Sequence, residues 1–394
     1  MKHEVFVLCP ERARLICHGV TDAMKLNCHR ASLATALQIV SGVVPTRTPK
    51  EILKNVKLHV DGGKAVLVGT DQEVGIRFEV AGVETDSTGE VLLPTQRVVS
   101  ILRELGEYQV TLEATERTLI IKGGQSEFSL STEHPGEFPP VAAFEDSEYY
   151  TVKASTLREM IKRTIFATDT ESTRYALGGV LLELTPERAT LAATDSRRLA
   201  VVSAAAEVVG EVNVENTTPV VPSKAMQLIE RSLPDGEDDV ALISIHANDV
   251  LVKCGGSTIY SRLVEGRFPK YSDVIPTDFS SSVELVIGPF YSAVRQAQIV
   301  TNEESRGVDF AFSNGKLTLA SRAADVGQSN VELPIAYDGE EFTITFDPRF
   351  VADFLRILDN GMTIKLNLID GESPAVFTTE DQYRYVVMPL SRDQ

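Results

Sequence analysis

Residues Ala193 to Ala200 read ATDSRRLA, and this octapeptide lies almost at the middle of a 394-residue chain. It follows two strand-like stretches, Gly179–Leu184 and Ala189–Ala193, whose period of two is typical of half-buried strands. Taken alone, the octapeptide indicates only a solvated turn between strands. Its importance comes from altered copies of the same block in both flanking thirds of the chain.

Each third of the chain repeats one order of predicted elements. A strand leads into an amphipathic helix, which we place within Cys28–Val40, Val152–Ala167 and Leu285–Val300. A two-strand unit carries the block next, as GTDQEVGIRF from Gly69, ATDSRRLAVV from Ala193 and ASRAADVGQSNVEL from Ala320. A second helix then opens on Pro94, Pro222 or Pro348, because proline suits the first helical position. A hairpin closes each third.

The repeat period is about 127 residues, much longer than the roughly 20 to 50 residues of solenoid repeats, so each unit is a whole domain. We predict an α+β protein of three similar domains. Their expected limits are 24–147, 148–278 and 279–394, and residues 1–23 form an N-terminal extension that does not share the pattern.

Charge is distributed unevenly along the chain. The formal net charge is −18, yet the six predicted helices carry eleven basic residues against four acidic ones. One interpretation is that polar helix faces simply carry charge. The other is that the helices face a polyanion such as duplex DNA while strands and loops face solvent. The basic residues are Arg30, Arg97, Arg103, Arg158, Lys162, Arg163, Lys224, Arg231, Arg295, Arg349 and Arg356.

Several protein classes are disfavoured by the sequence. No apolar run approaches the roughly 18 residues that span a membrane, and Phe6–Leu8 is too short for a signal peptide, so we expect a soluble, cytoplasmic protein. Four cysteines without a Cys-x-x-Cys pair disfavour a zinc site. The phosphate-binding, esterase and zinc-protease motifs are absent, and we expect no catalytic activity and no cofactor. Asp195 invites a general-base or metal-binding role, but stabilising its own turn is its default role.

The repeats and three motifs together resemble the bacterial DNA polymerase III beta subunit family, the sliding clamps. The motifs are ATDSRRLA, GRFPKYSDVIP from Gly266 and YVVMPL from Tyr385, and the resemblance covers about residues 24 to 390. It implies a head-to-tail homodimer of six similar domains in a ring, with helices lining the hole and antiparallel sheets outside. It also implies that ATP is used by a separate clamp loader and not by this chain.

The resemblance further implies a peptide-binding pocket between the second and third domains, where polymerases and the clamp loader insert a short segment. Apolar side chains would form the slot, while Thr194 and Arg198 would orient the peptide's polar atoms. An ordinary buried strand is the alternative for Val386–Met388. Carried over by motif, the pocket residues are Leu177, Thr194, Arg198, Leu199, Pro269, Val274, Val386, Met388, Pro389 and Leu390.

Two more surfaces follow from the resemblance. The dimer contact would join Phe128 and Leu130 of the first domain to Ile299 and Val300 of the third, unless these residues belong to the core of their own domains. Arg47 matches a loop arginine that touches DNA in the family, although a solvated loop charge is the alternative.

The sequence also departs from the family pattern in places. Ser196 and Arg197 stand where family members often have Gly and His, and Asp273 stands where a basic residue can occur. These departures concern the peptide preference more than the existence of the pocket.

The resulting hypothesis is a processivity factor that encircles duplex DNA, slides on diffuse phosphate contacts and tethers polymerase through the peptide slot. Two other functions are distinguishable from it. An open, monomeric scaffold would bind proteins but no DNA, and a hydrolase would use Asp195 with a metal.

Overall fold

The computed structural model describes residues 24–115, 117–169, 175–211, 219–302 and 306–390, so the predicted extension 1–23 lies outside the described residues. Within them the chain builds one α+β unit three times, beginning at Met24, Tyr149 and Ser281. This repetition confirms the predicted organisation of three similar domains. The domain limits given above stay a prediction.

The first repeat has two helices and nine strands. It contains β1 Met24–His29, α1 Arg30–Ser41, β2 Asn55–Asp61, β3 Lys64–Thr70, β4 Val74–Glu79, β5 Val83–Glu84, β6 Gly89–Pro94, α2 Thr95–Glu104, β7 Gln109–Ala114, β8 Thr118–Gly123 and β9 Ser126–Ser131.

The second repeat has the same order of elements. It contains β10 Tyr149–Lys153, α3 Ala154–Ile165, β11 Gly179–Thr185, β12 Arg188–Thr194, β13 Arg198–Ala205, β14 Glu207–Val209, β15 Val220–Pro222, α4 Ser223–Ser232, β16 Val240–Ile245, β17 Asp249–Cys254 and β18 Ser257–Arg262.

The third repeat lacks a counterpart of the short strands β5 and β14 among its described residues. It contains β19 Ser281–Val286, α5 Ile287–Ala297, β20 Val308–Ser313, β21 Lys316–Ala323, β22 Gly327–Pro334, β23 Phe342–Phe346, α6 Pro348–Arg356, β24 Thr363–Leu368, β25 Ala375–Thr378 and β26 Arg384–Val387.

The helices cover one face of the sheets. In α1 the predicted apolar face, Leu33, Ala36, Leu37 and Val40, is fully buried, as its three-to-four-residue spacing requires. The helices pack in pairs, α1 with α2, α3 with α4 and α5 with α6, and their buried faces join the sheets in one continuous core. The apolar faces of the predicted amphipathic helices therefore pack against the sheets.

The proline positions differ in part from the prediction. Pro348 is the first residue of α6, as expected, and the carboxylate of Asp347 accepts the N–H of Arg349 there. Pro94 and Pro222 instead end strands β6 and β15 with extended backbone, and their helices start one residue later. Proline's fixed φ of about −65° suits both extended and helical backbone, so its position alone does not decide which of the two it joins.

The sheets cross the boundaries between repeats. Strand β18 of the second repeat pairs with β4 of the first, with Tyr260 opposite Gly75. Strand β26 of the third repeat pairs with β13 of the second, with Val386 opposite Leu199. The described strands thus form a nine-stranded and an eight-stranded sheet that each span two repeats, while the first and third repeats keep a five-stranded and a four-stranded sheet of their own.

Among the described residues, no helix is both long enough and apolar enough to span a bilayer.

The linker that leads into the second repeat is held by an imidazole. His246, between β16 and β17, has its Nδ1 atom 2.7 Å from Asp249 Oδ1 and its Nε2 atom 3.2 Å from Asp146 Oδ1. The hydrogen bond to Asp249 raises the pKa of His246 most, partial burial opposes this, and Asp146 raises it further. Because each ring nitrogen faces a carboxylate oxygen, the ring joins the linker to the second repeat most firmly when it is protonated and both nitrogens donate.

We expect this contact to make stability depend on pH. The folded-state pKa of His246 lies above the ordinary value of about 6.5, so the contribution is fully present below that value and is lost as the pH rises through the folded-state pKa. Thermal melting of the protein and of His246→Gln should therefore differ more in Tm at about pH 6 than at about pH 9. An equal difference at both pH values would contradict the assignment.

Candidate functional site

The quoted octapeptide forms the tight turn between β12 and β13. Asp195 Oδ1 accepts the backbone N–H of Arg197 at 2.9 Å and of Arg198 at 3.0 Å. Asp71 holds the matching turn of the first repeat in the same way, accepting from Glu73 and Val74. The prediction that Asp195 stabilises its own turn is therefore confirmed, and no cluster of metal-ligating side chains occurs in the part of the chain that the structure describes.

Ser196 occupies a backbone conformation that favours glycine. Its φ is 75°, and Gln72 at the matching place of the first repeat has a φ of 82°. A non-glycine residue in this left-handed region costs about 1 kcal/mol. This gives a physical reason for the glycine that the resemblance leads us to expect at this position, and the backbone hydrogen bonds to Asp195 keep the turn formed with serine.

The guanidinium group of Arg198 binds partners within the protein. Its guanidinium donates to Asp195 Oδ2 at 2.9 Å, to Asp353 Oδ2 at 2.8 Å and to the Phe166 carbonyl at 2.7 Å. Its Cζ also lies 4.6 Å from the ring centroid of Phe350. Because Asp353 and Phe350 belong to α6, Arg198 fastens the turn of the second repeat to the third repeat.

Thr194 is engaged in the same turn. Its hydroxyl donates to the Arg198 carbonyl at 2.6 Å and accepts the N–H of Ser196 at 3.1 Å. The expectation that Thr194 and Arg198 orient a peptide's polar atoms differs from this geometry, since the polar atoms of both already have partners within the protein. Their side chains therefore contribute to the shape of the protein surface beside the turn.

A cavity of about 330 Å³ opens beside this turn, where the second and third repeats meet. The structure brings seven of the ten predicted pocket residues together in its lining. These are Thr194, Arg198, Leu199, Pro269, Val274, Val386 and Met388.

Three lining residues were missed by sequence reasoning, namely Ser196, Lys270 and Tyr271. All three lie inside the motifs quoted above, so their position next to chosen residues was the available signal. The Tyr271 hydroxyl donates to Glu183 Oε2 at 2.5 Å, and burial first, then this hydrogen bond, raises the pKa of Tyr271 above its ordinary value. Tyr271 therefore stays protonated and holds the linker segment against β11.

The other three predicted pocket residues do not line this cavity. Leu177 is buried, and its carbonyl accepts the N–H of Asp169 at 2.8 Å. Pro389 and Leu390 are half-buried, and the Leu390 N–H donates to the Thr345 carbonyl at 2.8 Å. Beyond Met388 the chain is thus drawn toward β23 of the third repeat.

Strand β26 shows the predicted alternation. Val386 packs with Leu199 and Val376 on the cavity side of the sheet, whereas Val387 lies in the main core on the helix side. The Met388 N–H donates to the Arg197 carbonyl at 2.8 Å, which places the exposed methionine at the rim.

The junction between the first and second repeats contains a filled version of the same groove. Gly75 there takes the place of Leu199, and Val141 of the following linker lies so close that a Cβ on Gly75 would be 2.7 Å from the valine's Cγ1 atom. Val141 is only 7% exposed, whereas Val274 and Met388 in the open cavity are 53% and 41% exposed. Of these two junctions, the second therefore leaves its apolar groove available.

Most of the predicted DNA-facing cations lie at the surface. Arg47 in its loop is exposed, and so are Arg97, Arg103, Lys162, Lys224, Arg231, Arg295, Arg349 and Arg356 on the helices. Three of them pair with carboxylates: Lys224 with Asp71, Arg349 with Asp347 at 2.6 Å and Arg356 with Asp353 at 3.3 Å.

Arg30 and Arg158 are half-buried and bind helix ends. Arg30 donates to the Leu102 carbonyl at 2.8 Å, and Arg158 donates to the carbonyls of Leu233 and of Pro234, the latter at 3.0 Å. Both satisfy backbone carbonyls at or just beyond the C-termini of α2 and α4, which helices leave unpaired.

The prediction that Arg163 faces DNA is wrong. Arg163 is only 9% exposed, and it pairs with Glu159 at 2.9 Å and with Asp381 of the third repeat at 2.5 Å. Its Cζ also lies 5.3 Å from the ring centroid of Tyr383. A charge buried among these partners joins two repeats and does not reach a ligand outside.

We expect Arg163→Met and Lys162→Met to have opposite effects. Losing the Arg163 pairs should lower the free energy of unfolding by about 1–2 kcal/mol, less than for a fully buried pair because both acidic partners are partly exposed. Lys162→Met should leave stability unchanged and weaken direct binding to short linear duplex DNA at low salt. Denaturant unfolding and the salt dependence of binding to linear DNA measure the two effects, and stability loss in Lys162→Met alone would reverse the assignments.

The residues predicted for the dimer contact lie at the ends of the repeat array. Phe128 and Leu130 are half-buried on β9, a strand that pairs on one side only. Ile299 is 75% exposed and Val300 is half-buried just after α5. Val326, which sequence reasoning missed, is also exposed in the turn that precedes β22, another strand at the edge of its sheet.

Comparison with known proteins matches each of the three repeats to a domain of the same protein family. Residues 24–142, 151–270 and 272–391 match, in that order, the N-terminal, central and C-terminal domains of the DNA polymerase III beta subunit.

The chain is 30% identical over 377 residues to the beta sliding clamp of Chlamydia trachomatis, covering 95% of this chain and 88% of that protein. It is 31% identical over 374 residues to the beta sliding clamp of Pseudomonas putida, covering 93% and 100%. The solved DnaN sliding clamp from Pseudomonas aeruginosa bound to griselimycin superposes with a TM-score of 0.85 at 29% identity, covering 94% and 100%.

Proposed function

The chain belongs to the DNA polymerase III beta subunit family, and from that premise we propose how its own residues perform the family's task. The protein is a DNA polymerase processivity factor, a sliding clamp that encircles duplex DNA and tethers polymerase and other proteins that carry a clamp-binding peptide. It is not an enzyme. Because a bacterial chromosome lies in the cytoplasm, we propose a cytoplasmic location.

We infer that two copies close a ring by repeating the junction that the chain already makes twice. At the first junction β4 pairs with β18, and at the second β13 pairs with β26. In the order of elements β22 corresponds to β4 and β13, and β9 corresponds to β18 and β26. These two strands are one-sided, so β22 of one copy is expected to pair with β9 of the second copy.

The existing registers predict the register of this third junction. Tyr260 faces Gly75 and Val386 faces Leu199 across the two internal junctions. Strands β9 and β18 each follow a two-residue turn and begin at Ser126 and Ser257, so Ser129 corresponds to Tyr260. Gln328 pairs with Arg322 of β21 as Leu199 pairs with Thr194 of β12, so Gln328 corresponds to Leu199. We therefore propose that Ser129 faces Gln328 of the second copy.

Apolar contacts on the helix side support the same pairing. In this register Phe128 faces Ser329 of the second copy, whose hydroxyl donates to the Ala297 carbonyl at the end of α5. Ile299 and Val300 follow that helix end directly. Phe128 and Leu130 are thus expected to cover the exposed Ile299, which gives two head-to-tail junctions and a ring of six repeats.

Duplex DNA is expected to contact the unpaired cations of the helices and of one loop. Arg47, Arg97, Arg103, Lys162, Arg231 and Arg295 are exposed and form no ion pair with any residue that the structure describes. Their charges stand out in a chain of net charge −18. Such dispersed contacts neutralise phosphates without reading bases, so the ring can slide.

The cavity lined by Leu199, Val274, Val386 and Met388 is the proposed peptide site. It is concave, apolar and open, and exposed Met388 at its rim suits a surface that accepts several partners. The griselimycin-bound clamp of Pseudomonas aeruginosa supports a ligand site in this family. The single observation that supports the proposal as a whole is that the sheets cross between repeats, which leaves β9 and β22 without the partner strands that their counterparts have.

Loading on nicked circular DNA, followed by linearisation, tests the ring. The clamp should stay on the circle at high salt and leave after the DNA is cut, because topology and not affinity holds it. A groove-binding protein would remain on the linear DNA. Elution at one subunit's mass without retention would favour the open scaffold, and nuclease activity abolished by Asp195→Asn would favour the hydrolase.

A further inference from the structure

The first strand of the third repeat, β19, has an open edge that the other two repeats close with their own chain. The short strand β5 pairs with β1, and the short strand β14 pairs with β10. Strand β19 pairs with β24 on one side, and no described segment pairs with it on the other. The third repeat therefore presents a strand edge where its two counterparts carry an added strand.

The segment of the third repeat that follows β22, as β5 follows β4 and β14 follows β13, is held elsewhere. The Ile335 N–H donates to the Gly315 carbonyl at 3.1 Å, and the Gly315 N–H donates to the Tyr337 carbonyl at 2.8 Å. Tyr337 is buried, and its ring centroid lies 5.8 Å from that of Phe312. This segment therefore packs on the turn between β20 and β21 and leaves β19 uncovered.

The open edge offers unpaired backbone groups. The N–H of Ile287, directly after β19, donates to the Met362 carbonyl on the β24 side. N–H groups alternate in direction along a strand, so those of Ser282, Glu284 and Val286 point away from β24. Such a row of outward donors and acceptors is a template for one more strand.

The charge that an added strand would meet differs in the third repeat. Asn27, Thr151 and Glu284 are each the third residue before the following helix. The added strands place Glu84 opposite Asn27 and Glu207 opposite Thr151. A glutamate opposite Glu284 would be unfavourable, because like charges would lie directly across a strand pair. Glu284 is exposed and forms no ion pair with another described residue, so a strand that fits this edge carries a cation there.

Apolar residues complete the pattern of the added strands. Val83 and Val208 adjoin the two glutamates in sequence, and both pack against the core. Counted from the following helix in the same way, they face the positions of Leu285 and Val283 on β19, which are both buried. A strand added to β19 would therefore place a valine-like residue on each side of its cation.

We propose that the β19 edge binds an extended segment of a partner protein, which adds an antiparallel strand and places a Lys or Arg, flanked by β-branched apolar residues, opposite Glu284. Backbone hydrogen bonds give such a segment its affinity, and its alternating side chains give its specificity. Glu284 excludes ordinary apolar strands, because these would cover an unpaired carboxylate. The site is separate from the peptide cavity, whose lining contains no residue of β19.

Two fluorescein-labelled peptides test the proposal. One has the central sequence Val-Lys-Val-Val, and its twin has Glu in place of Lys. Fluorescence anisotropy at about 150 mM salt should show the Lys peptide binding about 3- to 20-fold more tightly, as expected when an attractive cross-strand pair replaces a repulsive one. The Lys peptide should also slow amide hydrogen exchange at Ser282, Glu284 and Val286, because their N–H groups gain acceptors.

Variants separate this site from the general charge of the protein, whose net value of −18 favours any cationic peptide. Glu284→Lys should make the Glu peptide the tighter ligand and leave the Tm unchanged, because the side chain is exposed. Glu187→Lys makes the same charge change in the turn between β11 and β12 and should keep the preference for the Lys peptide. Val274→Asp alters the cavity and should keep it as well.

Reversed preference in Glu284→Lys together with slowed exchange in β19 would establish the site. A preference for the Lys peptide that survives in Glu284→Lys, or no binding of either peptide, overturns the proposal. Loss of binding in Val274→Asp would assign the peptides to the cavity and overturn it as well. The ring and the cavity are tested by other measurements, so their assignments stand or fall independently.

Discussion

Ser129→Pro should convert the dimer to monomers and abolish retention on circular DNA. At the first junction, the N–H of Arg262 in β18 donates to the Glu73 carbonyl. Arg262 corresponds to Ser131 of β9, and N–H groups alternate in direction along a strand, so the N–H of Ser129 also points away from β8. Proline removes one such donor without breaking a bond to β8, and it is tolerated on a free edge. Folding should therefore survive while ring closure fails.

The proposed third junction lacks an ion pair that could compensate for the lost backbone hydrogen bond. Within the chain, Lys224 pairs with Asp71 across the first junction. The corresponding positions are Gln96, two residues after Pro94, and Ala323, opposite the start of β22, so no such ion pair forms between copies. We therefore expect this interface to depend on strand pairing and the apolar contacts.

Sedimentation and retention on nicked circular DNA measure the effect. Ser129→Ala keeps the backbone N–H and is the matched control, with dimer and retention unchanged. The Tm of both variants should stay near that of the unmodified chain. A dimer of normal stability in Ser129→Pro would show that β9 does not form the interface.

Val274→Asp should weaken peptide binding by at least about 30-fold. The valine lines the cavity and is 53% exposed, so its replacement costs the folded chain little. A bound apolar anchor would desolvate the new carboxylate, and losses of about 2 kcal/mol or more are typical of central interface positions. The dimer and DNA retention should be unaffected.

Val286→Asp provides the control for this experiment. Val286 is exposed to a similar degree, but it lies at the end of β19 outside the cavity lining. Isothermal titration with a polymerase-derived peptide should show normal affinity for this variant. Weakening in both variants alike would indicate a general charge effect, and no weakening in Val274→Asp would remove the cavity from consideration.

The departure between sequence and structure is clearest at Arg163. Its helix position next to Lys162 gave the two residues the same predicted role, yet only Lys162 is exposed. The partner that buries Arg163, Asp381, lies 218 residues away, and no local pattern relates the two. Lys270 and Tyr271 were missed for a similar reason, since their motif does not reveal which side chains turn toward β13.

The sequence by itself determined the three repeats, the buried helix faces and the Asp195 turn, because periodicity and turn chemistry depend on neighbouring residues. Motifs also identified seven of the residues that line the cavity. Only the tertiary structure decided that sheets cross between repeats, that Val141 closes one groove while another stays open, and which cations remain unpaired. Strand partners and ion pairs are chosen among residues far apart in the chain, and their choice requires the assembled packing of all three repeats.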